Sequence, residues 1–246
     1  IETGIEALLE ELDPYSNFIP ESEIEDYEMM TTGQYGGIGA VIQKRNDYVI
    51  VSEPYEGSPA SKAGIIAGDK IIEINGKSAK GKTVEEVSSA LKGQPGTAAE
   101  VTIEREGINE PLKIEIIREK VKIPNIPYSG VLDGNIGYIK LNSFTQKAGD
   151  EVKTAFLELK DSAHIKGIIL DLRGNGGGLL NEAVNIVNIF VKKGKIIVNT
   201  KGRINERNQI HRTTNAPVDT EIPLVILVDR GSASASEIVA GAIQDL

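Results

Sequence analysis

The sequence predicts a helical N-terminal segment, then a mainly β module, then an α/β core. Three observations carry that reading. Residues 1–12 put Ile1, Ile5, Leu8, Leu9 and Leu12 on one helical face. Residues 35–118 alternate in apolar character between turn signals. From residue 136 onward, strand-like and helix-like runs follow one another, as in a parallel sheet with helices packed on it. A length of 246 residues suits one or two domains with real cores. The expected divisions are 1–34, 35–118 and 119–246.

Composition narrows the function classes. Lys and Arg number 27 against 36 Asp and Glu, a net charge of −9. That balance gives no basic footprint for nucleic acid, and acidic membrane surfaces should repel the chain. The absence of cysteine excludes disulfides, thiolate chemistry and cysteine–zinc sites. No apolar run approaches the roughly 18 residues that span a bilayer. No His-Glu-x-x-His or calcium-loop pattern occurs, so neither a metal nor a cofactor is indicated. The chain opens at Ile1 already in a helical pattern, and Glu237–Leu246 reads as a helix without a C-terminal cap. Both ends are therefore expected to be cut ends, with an anchor or export signal left open.

The elements follow in order. Asp13-Pro14-Tyr15-Ser16 breaks the first helix, since proline disfavours helix in the residue before it. Residues 21–30 read as a second short helix. A glycine-rich stretch, 31–40, leads into strands at Val41–Lys44 and Tyr48–Ser52, with Arg45-Asn46-Asp47 as the hairpin loop. Ser58 suits a helix cap, Pro59 a first turn, and Gly64 a left-handed helix end. A strand is expected at Lys70–Ile74, then the tight turn Asn75-Gly76. Thr83 caps a helix bearing Val84, Val87 and Leu91 on one face. Strands follow at Glu100–Arg105 and Leu112–Arg118. Residues 119–133, with Pro124 and Pro127, read as a linker. The core then shows strands at Ile136–Leu141, Ile165–Leu172, Lys195–Thr200 and Ile222–Val228. Its helices fall at Asp150–Leu159, Leu179–Val191 and from about Ser234 to the end.

Two loops leave two strands expected to be buried. In a parallel sheet both open on the carboxyl edge, where sites gather. The first is Asp171-Leu-Arg-Gly-Asn-Gly-Gly-Gly-Leu-Leu180. It fails the dinucleotide fingerprint, because Leu179 stands where the last glycine belongs, and it lacks the P-loop lysine. Its backbone N–H groups suit an oxyanion, and a plain turn is the alternative. The second is Asp229-Arg-Gly-Ser-Ala-Ser-Ala-Ser-Glu-Ile238. It is neither Gly-x-Ser-x-Gly nor Ser-x-x-Lys. A presented serine hydroxyl and simple capping by Ser232 or Ser234 are both open. His164, ahead of a strand, and His211, in a polar stretch, read as ordinary histidines.

The string Gly57-Ser-Pro-Ala…Ala67-Gly-Asp…Ile74-Asn-Gly76 resembles the permuted bacterial PDZ domain over roughly residues 35–118. The two loops, with Asp13-Pro-Tyr-Ser16, Gly36-Gly-Ile-Gly39 and Gly137-Tyr-Ile-Lys-Leu-Asn-Ser-Phe144, resemble the carboxy-terminal processing proteases across essentially the whole chain. The resemblance implies an α/β crotonase-like protease core, with an inserted, mainly β PDZ-like domain and an N-terminal helical segment. It implies Ser234 as nucleophile and the backbone N–H groups of Ala235 and Gly177 as the oxyanion hole. The family usually has proline where Gly176 stands, which leaves this loop looser. The family's base is a lysine, oriented by a glutamine, and both would fall beyond Leu246. The PDZ-like peptide site would comprise Gly36, Gly37, Ile38, Gly39, Val87 and Leu91, with successive backbone N–H groups holding a substrate's C-terminal carboxylate. Partners would be unfolded or C-terminally exposed protein substrates and no nucleic acid, with homo-oligomerisation left open. The expected setting is extracytoplasmic, the bacterial periplasm or cell envelope. Arg105 and Arg118, flanking the PDZ-like strands, read in sequence as ordinary strand-end charges, with a charge link that reports peptide occupancy as the other reading. Two other readings stand beside the protease: a non-catalytic peptide-binding scaffold, and an apolar-ligand carrier on the same core.

Overall fold

The structure is a computed structural model that describes residues 2–13, 16–20 and 24–246. Pro14 and Tyr15 of the expected helix break, and residues 21–23 of the expected second helix, lie outside the described residues. The chain forms two compact units, Ile1–Met29 with Gln34–Ile123, and Met30–Gly33 with Pro124–Leu246.

The first unit carries helix α1 (Glu2–Glu10), and helix α2 (Ile24–Thr32) runs across the division between the units. Leu8 and Leu12, on the predicted α1 face, are exposed. Strand β1 (Gln34–Gly37) follows. The main sheet uses β2 (Ala40–Arg45), β3 (Tyr48–Pro54), β4 (Lys70–Ile74), β6 (Ala98–Glu104) and β7 (Leu112–Ile117), with the short β5 (Lys77–Ser78) on β4. Arg45 pairs directly with Tyr48, so Asn46 and Asp47 alone make the turn, Asn46 at φ 55°. Asn75 and Gly76 both adopt positive φ, as a tight hairpin turn of this type requires. Helix α3 (Pro59–Lys62) begins at Ser58, whose hydroxyl accepts from the Ser61 N–H at 3.3 Å. Helix α4 (Val84–Leu91) begins at Thr83 with a full capping box to Glu86. Alternation along the strands buries Val49, Val51, Ile71, Ile74, Val101 and Ile103 against α4 residues Val87 and Leu91.

The linker reading of 119–133 is wrong. Glu119–Lys122 is strand β8, antiparallel to β1, and Tyr128–Leu132 is strand β9, the outer strand of the second unit's sheet. Two prolines mark the turn between these short strands. The partner of β8 lies more than eighty residues back, beyond any local pattern.

The second unit's sheet runs β14 (Leu224–Leu227), β11 (Gly167–Asp171), β10 (Ile136–Lys140), β9. The first three are mutually parallel and β9 is antiparallel. Helices α5 (Ala148–Ala163), α6 (Leu180–Phe190) and α7 (Ala235–Asp245) complete it. Phe144, Phe156, Leu170, Ile186 and Val239 lie in its core. Strands β12 (Ile196–Thr200) and β13 (Gln209–Arg212) form a separate two-stranded arm. The sequence reading had no strand at 209–212. It also took 222–228 as buried, but β14 is an edge strand with Val225 half exposed.

Candidate active site

Strands β11 and β14 are parallel neighbours, with Ile168 opposite Leu224 and Asp171 opposite Leu227. Their following loops, 172–179 and 228–234, therefore leave the same edge and meet. Asp229 accepts from the Gly174 N–H at 2.7 Å and from its own loop's Gly231 N–H at 2.9 Å. These main-chain donors hold its carboxyl below the usual range.

The three serines divide the work. The Ser232 hydroxyl donates to the Leu172 carbonyl at 2.7 Å, and that of Ser236 to the Asn175 carbonyl at 2.9 Å. The Ala233 N–H also donates to the Asn175 carbonyl, at 3.1 Å. Both flanking serines thus stitch the serine loop to the glycine loop. Ser234 between them is exposed and caps α7 at φ 54°, ψ −113°. That backbone lies outside the left-handed helical well and costs a non-glycine residue about 1–3 kcal/mol. The Glu237 carboxylate accepts from the Ser234 N–H at 2.7 Å and fixes the turn from the helix side.

Gly177, at φ 103°, presses against that turn. A Cβ there would meet the Ala233 carbonyl oxygen at 2.8 Å, Ser234 Cβ at 2.9 Å and the Ala235 nitrogen at 3.0 Å. The loop is held from below by Phe144, whose N–H donates to the Gly177 carbonyl and whose carbonyl accepts from the Leu179 N–H. Ala235 is the first residue of α7, where N–H groups have no partner within the helix. Among the described residues nothing accepts from it. The Gly177 N–H, by contrast, donates to Asn175 Oδ1 at 2.9 Å. Sequence reasoning missed Asn175. It is fully buried, its Nδ2 donates to the Leu141 carbonyl at 2.9 Å, and its main chain joins the two loops. The Asn-x-Gly spacing was the available signal, since asparagine commonly bonds the N–H two residues on.

At the same sheet edge an open cavity of about 690 Å³ is lined by Tyr128, Tyr138, Lys140, Asp171, Arg173 and Asp229 among others. Asp171 is buried and accepts from Tyr138 at 2.6 Å and from Arg173 through both Nε and Nη2. The Arg173 hydrogen bonds hold its carboxyl well below the ordinary carboxylate range, and the same carboxylate raises the Tyr138 phenol.

In the first unit, Gly36 and Gly37 belong to β1, opposite Lys120 and Glu119. Of the loop glycines 36, 37 and 39, only Gly39 has a positive φ, 75°. The expected row of unusual dihedrals is therefore not what Gly36 and Gly37 supply. They permit close approach instead: a Cβ on Gly36 would sit 2.3 Å from the Gly93 carbonyl oxygen. Ile38, Val87 and Leu91 are all core residues. Arg105 is committed to the fully buried Asp69, at 2.7 Å from each oxygen. Arg118 is buried and donates to the Ala90, Leu91 and Ala98 carbonyls. His164 ends α5 at φ 48°, and His211 lies on β13.

Comparison with known proteins gives the class first. Residues 50–105 match the PDZ domain and residues 135–246 match peptidase family S41, so a PDZ segment precedes an S41-family segment. It is 38% identical over 250 residues to a carboxy-terminal-processing protease of Bartonella bacilliformis, covering 100% of this chain and 56% of that one. It is 39% identical over 246 residues to a probable CtpA-like serine protease of Staphylococcus aureus, covering 98% and 48%. The photosystem II D1 C-terminal processing protease aligns at 30% identity and TM-score 0.52, covering 99% of this chain and 67% of that one. The chain belongs to peptidase family S41, among the carboxy-terminal processing proteases. It spans about half the length of the two bacterial relatives.

Proposed function

We propose that this chain is part of a serine endopeptidase that cleaves protein substrates near their C-termini, with Ser234 as nucleophile on a crotonase-like core. One observation carries the reading most. Ser234 is kept exposed in a strained turn at a strand–helix junction, and a glycine that tolerates no side chain packs against it. Ser234 Oγ attacks the scissile carbonyl carbon. The Ala235 N–H donates to the resulting oxyanion, and the Gly177 N–H joins it by exchanging Asn175 Oδ1 for that oxygen. The hydroxyl proton passes to a lysine amine outside residues 1–246, which returns it to the leaving amine. The acyl-enzyme is then hydrolysed by water. The PDZ domain receives the substrate's free C-terminus at the Gly36–Gly39 segment, with α4 beside it. The setting is extracytoplasmic. Among the described residues no helix is long and apolar enough to cross a membrane.

The engaged Gly177 N–H favours a second reading, a scaffold that binds tails without chemistry. One experiment separates the two. The full-length protein and its Ser234→Ala variant are each incubated with an unfolded protein bearing an apolar C-terminal tail. The proposal expects cleavage by the first, none by the second, and tail binding by both. Cleavage by the alanine variant removes Ser234 from the mechanism, and binding with no cleavage by either supports the scaffold.

A further inference from the structure

Charge is distributed very unevenly in this acidic chain. Residues 192–212 hold Lys192, Lys193, Lys195, Lys201, Arg203, Arg207 and Arg212 against the single acid Glu206, a net charge of +6. The remaining residues therefore carry −15 of the chain's −9 total. This stretch is the β12–β13 arm with its approach and its tip. All seven cations are exposed, and among the described residues none of them forms an ion pair. A solvated helix or strand face normally mixes signs, so such a concentration on one exposed two-stranded element calls for an external anion.

The arm is also apolar where a soluble hairpin should not be. Ile196, Ile204 and Ile210 are 42%, 50% and 59% exposed. Ile204 lies at the tip between Arg203 and the short helical turn Asn205–Arg207. Ile210 and Arg212, two apart on β13, project from one face of the ladder. Ile197, at the arm's base, packs on the second unit's core and anchors the arm.

We propose that this arm is a docking element for an anionic lipid surface. Its cations meet the headgroups, while Ile204 and Ile210 enter the interface. Basic residues interleaved with exposed aliphatics fit that surface. A nucleic-acid surface fits less well, because residues 192–212 contain no Phe, Tyr or Trp on which bases could stack. The charge of the rest of the chain adds orientation: the −15 remainder is repelled by the surface that attracts the arm.

The test is vesicle flotation of the full-length protein. Phosphatidylcholine vesicles are compared with equimolar phosphatidylcholine–phosphatidylglycerol vesicles. The proposal expects flotation with the anionic vesicles only, and release as salt shortens the screening length from about 10 Å at 0.1 M to about 3 Å at 1 M. Joint Lys201→Glu, Arg203→Glu and Arg207→Glu substitution should weaken partitioning about a hundredfold. Ile204→Ser with Ile210→Ser should weaken it about tenfold. Cleavage of a soluble substrate, unchanged in both variants, reports that they fold. Failure of the unmodified protein to float with anionic vesicles overturns the proposal without any variant. Equal flotation of the charge-reversed protein overturns it too. So does binding of single-stranded RNA as tight as vesicle binding and untouched by the isoleucine substitutions.

Discussion

Ser234 keeps its turn because neighbours over-determine it. Glu237 holds its N–H, Ser232 and Ser236 pin the chain on either side, and Gly177 leaves just enough room. The adjacent glycines 176 and 177 should therefore respond unequally to the same substitution. A Cβ on Gly177 meets three atoms of the serine turn at 3.0 Å or less, at a backbone φ that strains any L-residue. Gly177→Ala should cost about 1–3 kcal/mol and abolish labelling of Ser234 by a fluorophosphonate. A Cβ on Gly176 meets nothing within 4 Å and its φ is not positive. Gly176→Ala should stay within about 0.5 kcal/mol of the parent and label normally. Urea midpoints with labelling of each variant check both, and equal effects would mean that the packing of Gly177 is not what matters. Ser234 was singled out through the resemblance of the two loops taken together, because the crowded small residues alone left capping and a presented hydroxyl both open. Asn175 was missed although its Asn-x-Gly spacing signals the bond to the Gly177 N–H, and its contacts to Ala233 and Ser236 run through its carbonyl, a group every residue has.

At the scale of elements, long periodic segments and strong caps were readable and short edge strands were not. Helix α4 announced itself through the Thr83 cap and the Val84-Val87-Leu91 face, and the structure adds Glu86 as the second half of a capping box. Strands β8, β9 and β13 are four or five residues long; β8 pairs with a distant partner, β13 pairs through a shifted register, and β9 pairs regularly with the neighbouring β10 as an exposed outer strand. The β13 stretch looked polar because His211 and Arg212 belong to an exposed arm with little core beneath it. The α4 cap yields its own prediction. Thr83→Ala removes the hydroxyl that accepts from the Glu86 N–H at 3.2 Å, and should destabilise the first unit by about 1 kcal/mol. The variant's denaturation midpoint tests this. Thr83→Ser, which keeps the acceptor, should recover most of the loss, and a failure to recover would assign the effect to the lost methyl group.

Across the whole molecule, carboxyls are held low on both units, at Glu85 and Glu86 of α4 on the first and at three aspartates on the second. Asp171 is held by Arg173 and Tyr138, Asp219 by Lys160 and the Glu221 N–H, and Asp229 by the Gly174 and Gly231 N–H groups. A carboxyl whose folded pKa lies below its unfolded value, about 3.9 for Asp, gives its full stabilisation above that value and loses it as pH falls through the folded pKa. All three shifts have the same sign, so stability should fall from about pH 4 downward and hold between pH 5 and 7 as far as these groups decide. Asp171 has the lowest folded pKa and the least exposure of the three, and is the clearest probe. Asp171→Asn keeps the shape and an acceptor for Tyr138 but removes the charge that faces Arg173 and Lys140. At pH 7 the variant should melt well below the parent. The gap should narrow steadily between pH 4 and pH 2, because only the parent still has a carboxylate to protonate. Thermal melts of both proteins across that range measure it. A gap that does not change with pH would mean that the carboxylate charge of Asp171 adds no stability to the ion cluster at the sheet edge.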